Sequence, residues 1–273
     1  MGNNPLIILI ISILFLSSQT ISVARESEET KFSYIRGAEN GPEKWGKLNT
    51  NYTLCNAGQM QSPINIDDST VNVTSKFGEL IQRYEPFEAR IINNGNSLQI
   101  QWTSDKAGKI IINGTDYFIQ NCHCHTPSEN TVNGKKYDME MHLVHKSTKD
   151  EFAAVSLLFK IGEPDSFLGQ FLNSSIKQVG RNGADLGVLN PRKIGYEGKK
   201  YYRFIGSLTT PPCTQGVIWT VIKKSKTLSQ DQIKLLKEAV DDGYEKNARP
   251  VQPLNGRTVY LNQPKERRCR SYF

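Results

Sequence analysis

All four histidines of this 273-residue chain fall between positions 123 and 145. In Asn121-Cys-His-Cys-His, an extended strand puts His123 and His125 on one face and Cys122 and Cys124 on the other, because strand side chains alternate. The run Tyr137-Asp-Met-Glu-Met-His-Leu-Val-His alternates too, with Glu140, His142 and Val144 on one face and Met139, Met141, Leu143 and His145 on the other. If these strands are antiparallel and joined through the Asn133-Gly134 turn region, His142 faces the first pair. Three neutral imidazoles with an open fourth position make a catalytic rather than a structural zinc site. Surface or core histidines grouped by chance fit the same spacing, and spacing alone leaves both readings open. Glu140 shares the face of His142, where its carboxylate can take the far N–H of that ring and orient it. His145 points away and reads as a core histidine.

The segments that must position these rings are short and sheet-forming. Ala89–Asn93, Ser97–Trp102, Lys109–Ile112, Phe152–Phe159 and Gly216–Ile222 are rich in β-branched, aliphatic and aromatic residues. Asn93-Asn-Gly-Asn and Asn113-Gly are turn signals between them. One helix is expected from Ser229, as N-cap, to Val240, with Ile233, Leu235, Leu236 and Val240 as its apolar stripe and Gly243 ending it. A second helix is expected over Asp165–Gln178. No internal repeat or low-complexity block appears between Glu26 and Tyr272.

Five ordered motifs then carry a resemblance: Gln61-Ser-Pro-Ile-Asn-Ile; Cys122-His-Cys-His-Thr-Pro-Ser-Glu with Val132-Asn-Gly; Glu140-Met-His-Leu-Val-His; Gly206-Ser-Leu-Thr-Thr-Pro-Pro-Cys; and Asn247-Ala-Arg-Pro-Val-Gln-Pro. Between about Phe32 and Tyr260 the chain resembles the α-carbonic anhydrases, especially plant members. The resemblance implies a mainly β (α+β) fold on a central twisted, mostly antiparallel sheet of about ten strands with a few peripheral helices. It implies reversible hydration of carbon dioxide to bicarbonate and a proton by zinc-bound hydroxide, with one zinc ion per chain and sensitivity to sulfonamides. By the same resemblance His123, His125 and His142 are the zinc ligands, and Thr209 orients the hydroxide while Glu129 holds that threonine. Thr210 lies at the substrate site, and Val144, Leu208, Val217 and Trp219 form the apolar wall. Asn121 and the backbone carbonyl of Asn247 support ligand histidines, and Cys55 and Cys213 form a disulfide. Without the family context, Thr209 and Thr210 read as an ordinary turn before Pro211 and Pro212, and the wall residues as core.

The chain departs from the family pattern at several positions. Asn96 stands where a proton-shuttling histidine is usual, and Asn cannot titrate, so slow proton export at low buffer is expected. Cys124 replaces a bulky aromatic, Asn130 a histidine, and Asn121 a glutamine. Cys122 and Cys124, two strand steps apart, are expected to stay free thiols. Plant relatives of this family include dioscorin-like storage proteins with weak or absent activity, so a storage or binding role is the alternative to the enzyme. A zinc peptidase is excluded, since no His-Glu-x-x-His helix exists.

Residues 1–24 read as a signal peptide: an apolar run Leu6–Leu16 and a small-residue pattern Ser22-Val23-Ala24, too short to span a bilayer. No transmembrane segment follows, and residues 25–273 are expected to be one domain with a short basic tail. The sequons at Asn51, Asn72, Asn113 and Asn173 agree with the secretory route to apoplast or vacuole, or through it to the chloroplast stroma. The net charge of +7 is spread along the chain apart from Lys265, Arg267, Arg268 and Arg270, and no nucleic-acid motif accompanies it. Five cysteines leave at least one unpaired in a monomer. Cys269 in the tail can link two chains, so a monomer or a disulfide-linked dimer is expected.

Overall fold

A computed structural model describes residues 31–264. The signal segment, Cys269 and the basic tail lie outside the described residues. One sheet of 13 strands dominates. Ten of them form its continuous path: β1 (Asn72–Thr74), β2 (Phe87–Asn93), β3 (Leu98–Trp102), β4 (Thr115–His125), β5 (Met139–Lys146), β6 (Phe152–Ile161), β7 (Ala184–Leu189), β8 (Tyr201–Ser207), β9 (Gln215–Ile222) and β10 (Tyr260–Asn262), in the order β7-β2-β3-β4-β5-β6-β9-β8-β10-β1. Pairing along this path is antiparallel except at β6·β9 and β10·β1, which are parallel. The strand segments expected from composition lie within observed strands, except that Ser97 precedes the strand that begins at Leu98.

The turn chemistry works as the sequence suggests. Asn113 and Gly114 both have positive φ, 50° and 79°. They close a two-residue hairpin in which Ile112 pairs with Thr115, and two left-handed residues in succession are what such a turn demands. Strands β2 and β3 meet at the pair Asn93–Leu98, across Asn94–Ser97.

The central strands are buried on both faces. Met139, Met141 and Leu143 of β5 join Cys122, Val155, Leu157 and Phe159 in the larger core. On the opposite side Ile64, Ile66, Phe204, Val217 and Trp219 form a second cluster. The helix α1 (Gln230–Ala239) buries Ile233, Leu236 and Ala239 against the larger core. Its start is a reciprocal cap: Ser229 Oγ accepts from Gln232 N, and Gln232 Oε1 accepts from Ser229 N. It ends earlier than Gly243, because Val240 already has extended backbone, and the positive φ of Gly243 serves the following turn.

The expected helix over Asp165–Gln178 does not form. Two short 3-10 turns, Leu168–Gln170 and Ser174–Gln178, stand in its place. The side chain of Asp165 takes the backbone N–H of Phe167 and Leu168, and that of Asn173 takes the N–H of Ser175. Short polar side chains that capture nearby N–H groups compete with helical bonding and start new turns.

Candidate metal centre

The strand β4 changes which face its odd-numbered residues serve. Ile119 pairs with His145, but the next pair is Asn121 with Val144, so Gln120 is an extra residue bulged out of the β4·β5 ladder. Before the bulge Tyr117 and Ile119 point into the larger core; after it Cys122 does, with Cys124 packed against that core. One inserted residue reverses the alternation and turns Asn121, His123 and His125 to the other face. There His123 lies directly across from His142 of β5.

The three rings face one another, with centroids 5.1 Å apart for His123–His125, 5.4 Å for His123–His142 and 4.7 Å for His125–His142. One nitrogen of each ring is already engaged. His123 Nδ1 meets Asn121 Oδ1 at 3.0 Å, His125 Nδ1 meets the Asn247 carbonyl at 2.8 Å, and His142 Nε2 meets Glu140 Oε1 at 2.9 Å. Each partner is an acceptor and takes a proton from that nitrogen, which leaves His123 Nε2, His125 Nε2 and His142 Nδ1 as bare lone pairs. Burial, then repulsion from His125 and His142, holds the His123 pKa well below its ordinary value, and burial lowers that of His125. Rings kept neutral are rings ready to ligate.

Fit to a cation can be judged from atoms that lack partners. The ligand atoms of His123, His125 and His142 lie within 4.8 Å of one another. His125 Nε2 and Glu129 Oε2 are buried without a hydrogen bond, 3.5 Å apart. Such orphaned polar atoms are costly in a folded interior. Three inward-facing ring nitrogens with a carboxylate behind them, and both nearby thiols on the reverse face, are a donor set for zinc with a free position.

Glu140 is fully occupied: its oxygens accept from the backbone N–H of Glu129 and Asn130, Asn130 Nδ2, Ser156 Oγ and His142 Nε2, at 2.5–2.9 Å. Burial opposes its ionisation, but His142 and these hydrogen bonds outweigh it and hold the pKa at about 2. Glu129 has less support. Its Oε1 accepts from Arg249 N at 2.9 Å, and burial pushes its pKa up to about 7 against the influence of His142, Thr209 and Arg249. Thr209 lies beside this carboxylate and favours its ionised form, although Oε2 receives no well-directed hydrogen bond.

The loop bearing Thr209 and Thr210 is clamped from the N-terminal side. Ser62 and Ser207 exchange hydrogen bonds, Ser62 N to Ser207 Oγ and Ser207 N to Ser62 Oγ. Gln61 Nε2 donates to the Cys213 carbonyl, and Cys213 is bonded to Cys55 as expected. Trp219 packs edge-on against His142 at 4.8 Å and donates its indole N–H to the Ser207 carbonyl. Val217 joins Trp219 in the second core cluster, Leu208 packs against that cluster, and Val144 is half-buried on the His142 face.

Asn96 is half-buried, and its carbonyl accepts from Asn247 Nδ2. The side chain of Asn247 also takes Thr126 N and donates to the Cys124 carbonyl, so one residue ties His125 to the Asn96 turn. His145 stands apart in the core, with Nε2 bonded to the Tyr84 hydroxyl at 2.8 Å. Cys122 and Cys124 are free thiols.

Two residues that sequence reasoning did not assign to the site help build it. Arg249 is buried over Trp45, and its guanidinium bonds Gln61 Oε1 and the carbonyls of Ser62 and Cys55 while its N–H holds Glu129. Asn130, read only as a departure, binds both oxygens of Glu140 and accepts from Ile64 N. The motifs containing Arg249 and the neighbouring Ile64 were visible; the burial that gives these residues their roles was not.

The chain is similar to known proteins over most of its length. The family model for eukaryotic-type carbonic anhydrase matches residues 40–263. Alpha carbonic anhydrase 4 of Arabidopsis thaliana is 45% identical over 253 residues, covering 92% of this chain and 94% of that protein. Dioscorin DB3L of Dioscorea polystachya is 41% identical, covering 93% and 92%. Among solved structures, dioscorin complexed with ascorbate superposes with a TM-score of 0.84 at 38% identity, covering 87% of this chain and 100% of that one. The α-carbonic anhydrase of Thermovibrio ammonificans in complex with the inhibitor sulfanilamide gives 0.76 at 31% identity, covering 85% and 99%.

Proposed function

Because this chain belongs to the eukaryotic-type carbonic anhydrase family, we propose that it catalyses the reversible hydration of carbon dioxide to bicarbonate and a proton. The observation that carries this reading is the convergence of the three histidines, each with its outer nitrogen already committed to an acceptor. His123 and His125 would hold zinc through Nε2 and His142 through Nδ1. Zinc in such a site is a Lewis acid that lowers the pKa of a bound water to about 7, giving a nucleophile near neutral pH.

The remaining work falls to the chain's own side chains. Thr209, donating its hydroxyl proton to ionised Glu129, is left with only lone pairs toward the cleft and accepts from the attacking water, which orients that oxygen. Arg249 N–H and the positions of His142 and Thr209 favour the ionised Glu129 that this requires. Val144, Leu208, Val217 and Trp219 offer carbon dioxide an apolar rest, with Thr210 beside it. Asn96 holds the turn at the cleft but cannot carry a proton outward.

Storage is the second reading, favoured by the similarity to dioscorin. Against it, His123, His125, His142, Glu129, Glu140 and Thr209 are all present with their supports. Carbon dioxide hydration that a sulfonamide abolishes supports the enzyme; folded protein with no hydration at any buffer concentration supports storage. We further propose one domain over residues 25–273, reached by cleavage after Ala24 and exported through the secretory route. All four sequon asparagines are exposed, and the Cys55–Cys213 bridge suits an oxidising compartment.

A further inference from the structure

The strand β6 carries one polar side chain in an otherwise apolar run. From Phe152 to Phe159 the sequence reads Phe-Ala-Ala-Val-Ser-Leu-Leu-Phe, and Ser156 is fully buried. Register shows what the hydroxyl faces. Ser156 lies directly across from His142 of β5, and His142 directly across from His123 of β4, so the three form one row on one face of the sheet. The Ser156 hydroxyl donates to Glu140 Oε1 at 2.5 Å, the same oxygen that takes the His142 proton.

That oxygen is oversubscribed. Oε1 receives Ser156 Oγ at 2.5 Å, Asn130 Nδ2 at 2.6 Å and His142 Nε2 at 2.9 Å. Oε2 takes the backbone N–H groups of Glu129 and Asn130 at 2.8 and 2.7 Å. An ionised carboxylate offers about two lone-pair sites on each oxygen, so three donors on Oε1 divide what two would hold. Asn130 and His142 both present an N–H, and the imidazole has the longer bond. The ring proton receives the smaller share. Burial of all four side chains strengthens the competition, because hydrogen bonds are electrostatically stronger away from bulk solvent.

We infer that Ser156 is a positioning residue that limits how far Glu140 draws the His142 proton, and so sets how strongly His142 Nδ1 can donate to a metal. The inference rests on the proposed zinc site. A carboxylate bonded to a ligand histidine raises the basicity of that ring; a hydroxyl on the same oxygen takes part of that effect away. Asn130 acts in the same direction, but its backbone N–H anchors Oε2 and its side chain accepts from Ile64 N, so its removal disturbs more than Oε1. Among the described residues the Ser156 hydroxyl has its bond to Glu140 alone.

The test compares wild type, Ser156→Ala and Ser156→Thr, each zinc-loaded and metal-free. The Nε2–H resonance of His142 is followed by nitrogen-edited NMR, and zinc affinity is read by competition with a chelator. In Ser156→Ala the ring proton should move downfield as its bond to Glu140 shortens. Zinc should be held about tenfold tighter, the lower end of what outer partners of ligand histidines contribute. Ser156→Thr keeps the hydroxyl and should restore both wild-type values. A ring proton that stays in place, or moves upfield with weaker zinc binding, overturns the inference and leaves Ser156 a packing residue. So does a downfield shift without tighter binding, since the metal then does not feel the competition. If Ser156→Ala does not fold, Ser156→Cys, a weaker donor of similar size, replaces it with the same expected directions. Zinc uptake by wild type is read separately: none at all refutes the zinc site, and the metal-free ring resonance then still decides whether Ser156 competes for Glu140.

Discussion

Each histidine of the proposed zinc site owes its tautomer to one acceptor, and Glu140 is the most heavily bonded of the three. Glu140→Gln keeps the shape but loses the charge that draws the His142 proton to Nε2. Zinc affinity is expected to fall about 10–100-fold, measured by competition with a chelator; unchanged affinity would show that the packing of His142 alone orients it. Asn96→His should raise turnover at low buffer and leave turnover in concentrated imidazole unchanged, because only proton export is altered. Equal turnover of both forms at low buffer would mean that another route carries the proton. The shared face of the three histidines was legible in the sequence from period-two spacing, which left chance grouping open until the resemblance implied a ligand set, and so was the partnership of Glu140 with His142. Their coordinating nitrogens were not, since those depend on acceptors brought from Asn121, Asn247 and Glu140 by tertiary structure.

At the level of elements, the bulge at Gln120 shows where pattern reading stops. Alternation from Asn121 to His125 is plain in the sequence, but the same strand faces the other way before Gln120, and nothing in the residue types announces the change. The helix α1 was legible because Ser229 and Gln232 cap it locally. The segment Asp165–Gln178 was misread because Asp165 and Asn173 satisfy backbone N–H groups themselves. The Thr209 loop depends on an element far away in sequence: Cys55–Cys213 closes a separation of 158 residues. The double substitution Cys55→Ala with Cys213→Ala is expected to cost about 2–5 kcal/mol of stability, read by denaturant unfolding, and to reduce activity at temperatures where the protein is still folded. Full activity in that variant would show that the Ser62–Ser207 exchange alone fixes the loop.

Across the whole molecule, acid stability offers a check remote from the cleft. Asp68 accepts from Lys223 Nζ at 2.8 Å and Tyr202 Oη at 2.6 Å, and these bonds hold its pKa down to about 2 from an ordinary 3.8. A carboxylate whose folded pKa is depressed contributes stability above its unfolded pKa and loses it as pH falls through the folded one. Asp68 is exposed, so the contribution is at most about 1 kcal/mol. Asp68→Asn should therefore be less stable than wild type at neutral pH, with the difference closing between pH values of about 4 and 2; a constant difference would assign it to packing. The central claim, a zinc-dependent hydratase, is tested most directly by measuring zinc content and carbon dioxide hydration of the purified protein beside His142→Ala. About one zinc per chain, with hydration lost in the variant, is the predicted result. Folded wild-type protein that takes up no zinc and hydrates no faster than the variant would contradict it.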